Sequence, residues 1–404
     1  MARKPKIERF NEKILSRFQI YNSLFLTLPF KTIKQTSLLM PLFSEHCRKQ
    51  YEINNNPRDI VNSFFNLYAP DFDSEQQLDL LFNFIQYIER QVVLFDAIED
   101  AGFSYVNNMH GRGTLRNMKE EASNKQLGGA LSEYIKRFKV RIVLTAHPTQ
   151  FYPDNVLVIM NELSKAIAED DLDTVKKLLV QLGKTPFYKK EKPSPYDEAI
   201  SLIWFLENVF YHSASTIYNY VAEHIVDSKD LNNPIFDFGF WPGGDRDGNP
   251  YVTPEITIKT AKRLKFSILR NYYRDLRKLK RKITFPGVED RVEELENMVF
   301  NELFYPERNK NFSLEYLSSE LEFVLNKVEN EHDGHYKDEV LDIIYKVRLF
   351  GLHFASLDIR QDSRIHHSVF KEIVSHPEIQ NFTKGLVENY LDLDSNERCK
   401  SLVK

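Results

Sequence analysis

Cysteine is scarce in this sequence: Cys47 and Cys399 are its two thiols, near opposite ends of 404 residues. Neither belongs to a paired metal-ligand or redox spacing, so both are expected to be plain thiols in a reducing cytoplasm. Glycine is sparse as well, with 14 residues against 42% hydrophobic and 28% charged ones. That balance excludes a disordered or fibrous chain and points to a helix-rich globular one. An excess of one charge is also missing: 54 Lys and Arg against 58 Asp and Glu leave a net charge of -4. The value names no partner, and it lacks the basic surplus of a nucleic-acid binder. No apolar run is long enough to span a bilayer. The charged start, Met1-Ala-Arg-Lys-Pro-Lys-Ile-Glu-Arg, lacks the apolar core of a secretory leader, so a cytoplasmic protein without membrane association is expected. Internal repeats and low-complexity tracts are absent too.

What is present is helical rhythm. Ser74 with Gln77 reads as a capping box, after which Leu78, Leu81, Phe82, Ile85, Ile88, Val92 and Phe95 recur at helical spacing and predict a core-facing stripe. Similar patterns run through residues 156–167, 172–182 and 314–328, with breaks at 54–57, 189–195 and 285–287. The length suits two or three ordinary domains, or part of one large barrel enzyme with insertions.

Three segments interrupt that rhythm in the same manner. The β-branched run 140–144 delivers the chain into Thr145-Ala146-His147-Pro148-Thr149. Residues 235–240 alternate like a strand and end in Trp241-Pro242-Gly243-Gly244-Asp245-Arg246-Asp247-Gly248-Asn249-Pro250, after which Thr253 and Pro254 suit the N-cap and first position of a helix. The third run, 352–359, ends in Arg360-Gln361-Asp362-Ser363. Strands that end in reactive side chains and then give way to helix predict the C-terminal mouth of a β/α barrel. The motifs stand roughly a hundred residues apart, against ~30 for one strand, crossover helix and strand. The expected fold is therefore mostly α-helical, a partial (β/α)8 TIM-like barrel with its first few parallel strands and large helical insertions.

Each motif has a functional and a plain reading. His147, at a strand end between two threonines, is a candidate for proton transfer or for facing a phosphate; a core histidine bonded to a carbonyl is the alternative. Gly243, Gly244 and Gly248 permit close backbone approach, and Arg246 adds a forked cation, with Asp245 and Asp247 expected either to orient that arginine or to hold a metal cation. The alternative there is an ordinary tight turn. Arg360 shares a strand face with Asp358, so that carboxylate is expected to lock the guanidinium toward an anion, or else to form a structural ion pair with it. Other features read as structural. His366 and His367, like His332 and His335, lack a ligand set and are expected on the surface. The basic stretch 259–282 reads as a solvated helix face, and His110-Gly111-Arg112-Gly113 as a loop with no strand before it.

Taken together, Val143-Leu144-Thr145-Ala146-His147-Pro148-Thr149, the segment 243–250 and Leu357-Asp358-Ile359-Arg360-Gln361-Asp362-Ser363 resemble, in this order, motifs of the phosphoenolpyruvate carboxylase family. Pro193-Ser194-Pro195 with Asp197-Glu198-Ala199 resembles another of its segments. The resemblance covers residues 141–363 by motif and the preceding helices by position. It implies an N-terminal helical region, 1–138, followed in 139–404 by the first part of the family's barrel. It further implies conversion of phosphoenolpyruvate and bicarbonate to oxaloacetate and phosphate with Mg²⁺ or Mn²⁺, through carboxyphosphate and an enolate. Arg360 would bind the phosphate, His147 would act near carboxyphosphate, and Arg246 with Gly243, Gly244 and Asp245 would shape the substrate pocket. Gln150 and Pro242 depart from the usual Glu and Met beside these motifs. The family's metal-binding carboxylates and a second His-Gly-Arg-Gly-Gly loop do not occur after Ser363, so this chain is expected to carry no metal ligands and to be inactive alone. The partner implied is a C-terminal half of the same enzyme, within a homotetramer. A non-catalytic chain that scaffolds or regulates a partner carrying that half is the rival expectation, and nucleic-acid binding through 259–282 the weakest.

Overall fold

The computed structural model describes residues 4–28, 33–53, 55–145, 152–187, 193–226, 231, 233–247, 249–309, 312–377, 393–394 and 396–397, and is mostly helical. By backbone packing the chain divides into two units, Met1–Glu121 with Pro148–Lys192, and Ala122–His147 with Pro193–Lys404.

In the first unit, α1 (Lys6–Phe10) continues through a π-helical turn into α2 (Ser16–Thr27), followed by α3 (Ile33–Glu52) and α4 (Pro57–Tyr68). The longest helix, α5 (Ser74–Val106), starts one residue earlier than its sequence signal. Its capping box is formed by Asp73, whose Oδ1 accepts from the Gln76 amide (2.9 Å), and Gln76, whose Oε1 accepts from the Asp73 amide (3.0 Å). Ser74 thereby becomes the first helical residue rather than the cap. The expected core stripe is also displaced. Leu78 is 67% and Ile85 50% exposed, and Phe82, Ile88 and Val92 are open too, whereas Leu80, Phe84, Tyr87, Val93, Leu94, Ala97 and Ile98 are buried. Apolar residues occupy more than one face of α5, so a 3.6-residue period fits twice. The partners decide between the two. Phe64 and Phe65 of α4 close over Leu80 and Phe84, and Val156 and Ile159 of α8 (Asp154–Ala168) close over Val93. Arg90 then ties α9 (Leu172–Lys184) to α5, donating to the carbonyls of Leu182 (3.1 Å) and Thr185 (2.8 Å) at that helix's C-terminal end. The loop at 110–113 follows α5 and precedes α6 (Leu115–Asn124).

In the second unit, α7 (Gly128–Ile135) leads to β1 (Val140–Leu144). After α10 (Pro195–Phe205), a π-helical turn and α11 (Tyr211–His224), the chain enters β2 (Phe236–Phe240). The Pro193-Ser194-Pro195 segment is a helix start: Ser194 and Asp197 form a capping box and Pro195 takes the first position. Beyond β2 come α12 (Pro254–Lys280), α13 (Glu289–Phe304), α14 (Leu314–Glu331), α15 (Lys337–Phe350), the two-residue β3 (Ser356–Leu357) and α16 (Ser363–Ser375). The third strand is far shorter than the run 352–359 predicts. The sheet is parallel in the order β1-β2-β3, with Val143 beside Gly239 and Phe240 beside Leu357. One face, with Leu144, Phe238 and Phe240, is buried under helices; Phe238 stacks on Phe350 at 5.4 Å between centroids. Each such buried side chain contributes about 1.5–3 kcal/mol. The opposite face carries Arg141, Val143, Asp237, Gly239 and Asp358. Among the described residues no helix is long and apolar enough to cross a membrane.

Candidate functional site

The C-terminal ends of β2 and β3 bring two of the three motifs together. Trp241 leaves β2 still paired, its amide donating to Leu144 O (2.9 Å), and the chain then turns tightly, with Gly244 and Asp245 both donating to Trp241 O (2.9 and 2.8 Å). Gly243 sits at φ +79°, in the left-handed region. A Cβ there would fall inside the van der Waals shell of Thr260 Oγ1 on α12. One added to Gly244 would overlap the carbonyl oxygen of Asp358. Both glycines are therefore needed for the backbone to lie against its neighbours. The approach is sealed by Arg360 N donating to Gly244 O (3.1 Å) and Arg246 N donating to Arg360 O (2.9 Å).

That backbone bridge sets Arg360 beside Asp245. Arg360 Nη1 donates to Asp245 Oδ2 at 2.7 Å, and the guanidinium lies over the Trp241 ring, 3.8 Å from its centroid. The group is thus held on one side by a carboxylate and on one face by an indole. Its side chain remains 40% exposed, and Nε and Nη2 make no hydrogen bond among the described residues, which leaves two donors for an incoming anion.

The expected lock by Asp358 is overturned. Asp358 accepts instead from Arg141 Nη2 (2.7 Å), while Arg141 Nη1 donates to Asp237 Oδ2 (2.9 Å). Alternation does put residues 358 and 360 on one side, but β3 ends at Leu357 and the chain is drawn toward the glycine turn, so Arg360 meets Asp245 first. The Arg141 guanidinium pKa is raised above its ordinary value, chiefly by the hydrogen bond with Asp358. Arg246 turns toward α12, where Nη2 donates to Thr257 Oγ1 (3.3 Å). Its Nε is buried without a partner among the described residues. Beyond the strand, Asp362 caps α16, and the side-chain and backbone hydrogen bonds from Arg364 hold its carboxyl below the usual range. His147 and Gly248 lie outside the described residues.

Trp241, Thr260 and Arg141 were not legible as site residues. The available signal for Arg141 was a cation inside an otherwise apolar strand, and for Trp241 an aromatic residue immediately before a glycine turn. His366 and His367 are exposed as expected, whereas His332 is partly covered and stacks on Phe285 at 4.9 Å. Within the basic stretch 259–282, Lys265, Arg270, Lys278, Lys280 and Lys282 pair with carboxylates. Among the described residues no three His, Cys, Asp or Glu side chains cluster as cation ligands. The acids nearest the site do not fit a divalent cation either, since Asp245 is engaged by Arg360, and Asp237 and Asp358 by Arg141.

Comparison with known proteins gives one consistent answer. A family model described as phosphoenolpyruvate carboxylase matches residues 85–302 and 289–404. Among curated relatives, the phosphoenolpyruvate carboxylase of Vibrio vulnificus (strain YJ016) is 25% identical over 312 residues, covering 66% of this chain and 35% of its own. That of Aeromonas hydrophila is 24% identical, covering 61% and 33%, and that of Prochlorococcus marinus (strain AS9601) 24%, covering 68% and 35%. The chain thus spans about a third of the length of the curated relatives it matches.

Proposed function

Because the chain belongs to the phosphoenolpyruvate carboxylase family, we propose that it supplies the phosphate-gripping part of that carboxylation. The carrying observation is Arg360 at the end of β3, fixed by Asp245 and Trp241 with two donors left over. A guanidinium so held suits a phosphoryl group, because two parallel N–H donors match two oxygens and the fork is oriented in advance. In the proposed reaction a bicarbonate oxygen attacks phosphorus and the bond from phosphorus to the enol oxygen breaks, giving carboxyphosphate and an enolate. Carboxyphosphate then splits to CO₂ and phosphate, the bicarbonate proton leaving on the phosphate, and the enolate carbon attacks CO₂ to form oxaloacetate. Arg360 would steady the charge on the phosphoryl oxygens. His147 is proposed, on its motif alone, to carry the proton in transit. Gly243 and Gly244 would form the floor on which the substrate lies, with Asp245 orienting Arg360 and Arg246 bracing the turn against α12.

The family's metal has no donor set among the described residues. The sequential order β1-β2-β3 is how the first strands of a β/α barrel run, which supports reading 139–404 as the opening portion of one, after a helical region 1–138. The three strands among the described residues fall short of the eight of a closed barrel. Purified chain given phosphoenolpyruvate, bicarbonate and Mg²⁺, with malate dehydrogenase reporting oxaloacetate, is therefore expected to show no turnover. A rate near the ~10 s⁻¹ of an ordinary enzyme would mean that the active site is placed wrongly. Anion binding is the positive arm: phosphoenolpyruvate or inorganic phosphate should change Trp241 fluorescence, and Arg360→Ala should abolish the change.

A further inference from the structure

We propose that Arg141 is a positioning residue that ties β1 to β3 across the face of β2 and so sets where the chain carries Arg360, an inference that rests on the anion-binding reading of Arg360. Arg141 lies on β1 and Asp358 directly follows β3, two strands that do not pair with each other because β2 lies between them. The guanidinium nevertheless reaches Asp358 Oδ1 at 2.7 Å and Asp237 Oδ2 at 2.9 Å. It can do so because the residue beneath it is Gly239. A Cβ at that position would stand 3.1 and 3.2 Å from Arg141 Nη2 and Nε and 3.0 Å from Asp358 Oδ2, tighter than side chains normally tolerate.

The backbone offers β3 little hold of its own. Its ladder with β2 comprises Gly239 beside Ser356 and Phe240 beside Leu357, and the next register point is the isolated bridge between Asp245 and Arg360. Asp358 stands between those two anchorages, and its amide donates to Phe240 O at 2.9 Å. Fixing its side chain to β1 therefore sets the approach of the segment two residues before Arg360. Arg141 touches neither the indole nor the guanidinium of the candidate site; it acts through Asp358.

The stack of Arg360 on Trp241 gives a readout that needs no ligand. The sequence holds two tryptophans, so Trp204→Phe leaves Trp241 as the single indole of the full chain. In that background Arg360→Ala should raise acrylamide quenching of Trp241, and Arg141→Ala should move it in the same direction. Titration with inorganic phosphate or phosphoenolpyruvate should be at least about threefold weaker in Arg141→Ala, the scale of coupling between residues of one network. Gly239→Ala keeps every charge while crowding the guanidinium, and should reproduce both effects. Combined with Arg141→Ala it should add almost nothing, because the crowded group is gone. Quenching unchanged in Arg141→Ala while altered in Arg360→Ala, or strictly additive effects of Arg141→Ala and Gly239→Ala, would overturn the proposal. If quenching behaves as expected but Arg360→Ala leaves the anion titration intact, the strap stands and the anion-binding reading fails.

Discussion

Gly243 and Gly244 illustrate how narrowly single atoms define the site. Gly243→Ala must hold an L-residue at φ +79° and also displace Thr260, which is fully buried. Gly244→Ala must push back the Asp358 carbonyl, which is backbone and cannot rotate aside. Each is expected to cost on the order of 2–4 kcal/mol, read as a lowered urea midpoint with unchanged slope. At Arg360, substitution by Lys keeps the charge but loses the fork and most of the stacking. It should weaken anion binding, followed by Trp241 fluorescence, about tenfold, and Ala should weaken it further. A lysine variant as tight as the parent would show that a point charge is enough.

Between helices, the most consequential group is Lys346 of α15, whose ammonium lies 2.8 Å from Asp275 of α12 and 2.7 Å from Asp342, and 4.7 Å from the centre of the Tyr211 ring of α11. Tyr211 in turn donates to Asp275 at 2.9 Å. Burial alone lifts the Asp275 pKa, but the charge and hydrogen bond of Lys346, with the Tyr211 hydroxyl, hold it below the ordinary aspartate value. A carboxyl depressed in the folded state stabilises fully above its unfolded pKa and loses that contribution as pH falls through the folded value. Asp275→Asn should therefore cost on the order of 3 kcal/mol at neutral pH. The gap from wild type should narrow as pH falls through the lowered Asp275 pKa, measured as urea midpoints across an acid series. A gap that stays constant with pH would remove the ion pair as its cause. Element identity was largely legible here: β1 appears at its expected bounds, and Thr253 and Pro254 start α12 where expected. The α5 stripe was not legible, because a helix with apolar residues on several faces announces its period but not its partner. The pairing of Asp358 was missed for a related reason. Strand alternation says which side a carboxylate faces, whereas the cation that reaches it comes from Arg141, 217 positions away.

Among the described residues, the exposed apolar side chains of α5 and the sheet edges at β1 and β3 give surfaces that favour association in water. Sedimentation should be concentration dependent, and replacing Leu78 by Glu together with Ile85 by Lys, 67% and 50% exposed, should shift the chain toward monomer without changing its helical circular dichroism. If the double variant associates as strongly as the parent, α5 is not the adhesive surface.

The placement of α8 and α9 has a consequence in time. Both helices follow β1 in sequence yet belong to the first unit, and the partner of Leu144 in the sheet is Phe240, 96 residues later. During synthesis at ~5–20 residues per second, β1 emerges and then waits roughly 5–20 s before β2 exists to receive it. Meanwhile α8 and α9 can already bury Val156, Ile159, Val175 and Leu179, all inaccessible in the finished fold. The first unit is therefore able to close while the sheet is still a single unpaired strand. In a pulse-labelled translation, protection from proteolysis should reach α5 before it reaches β1.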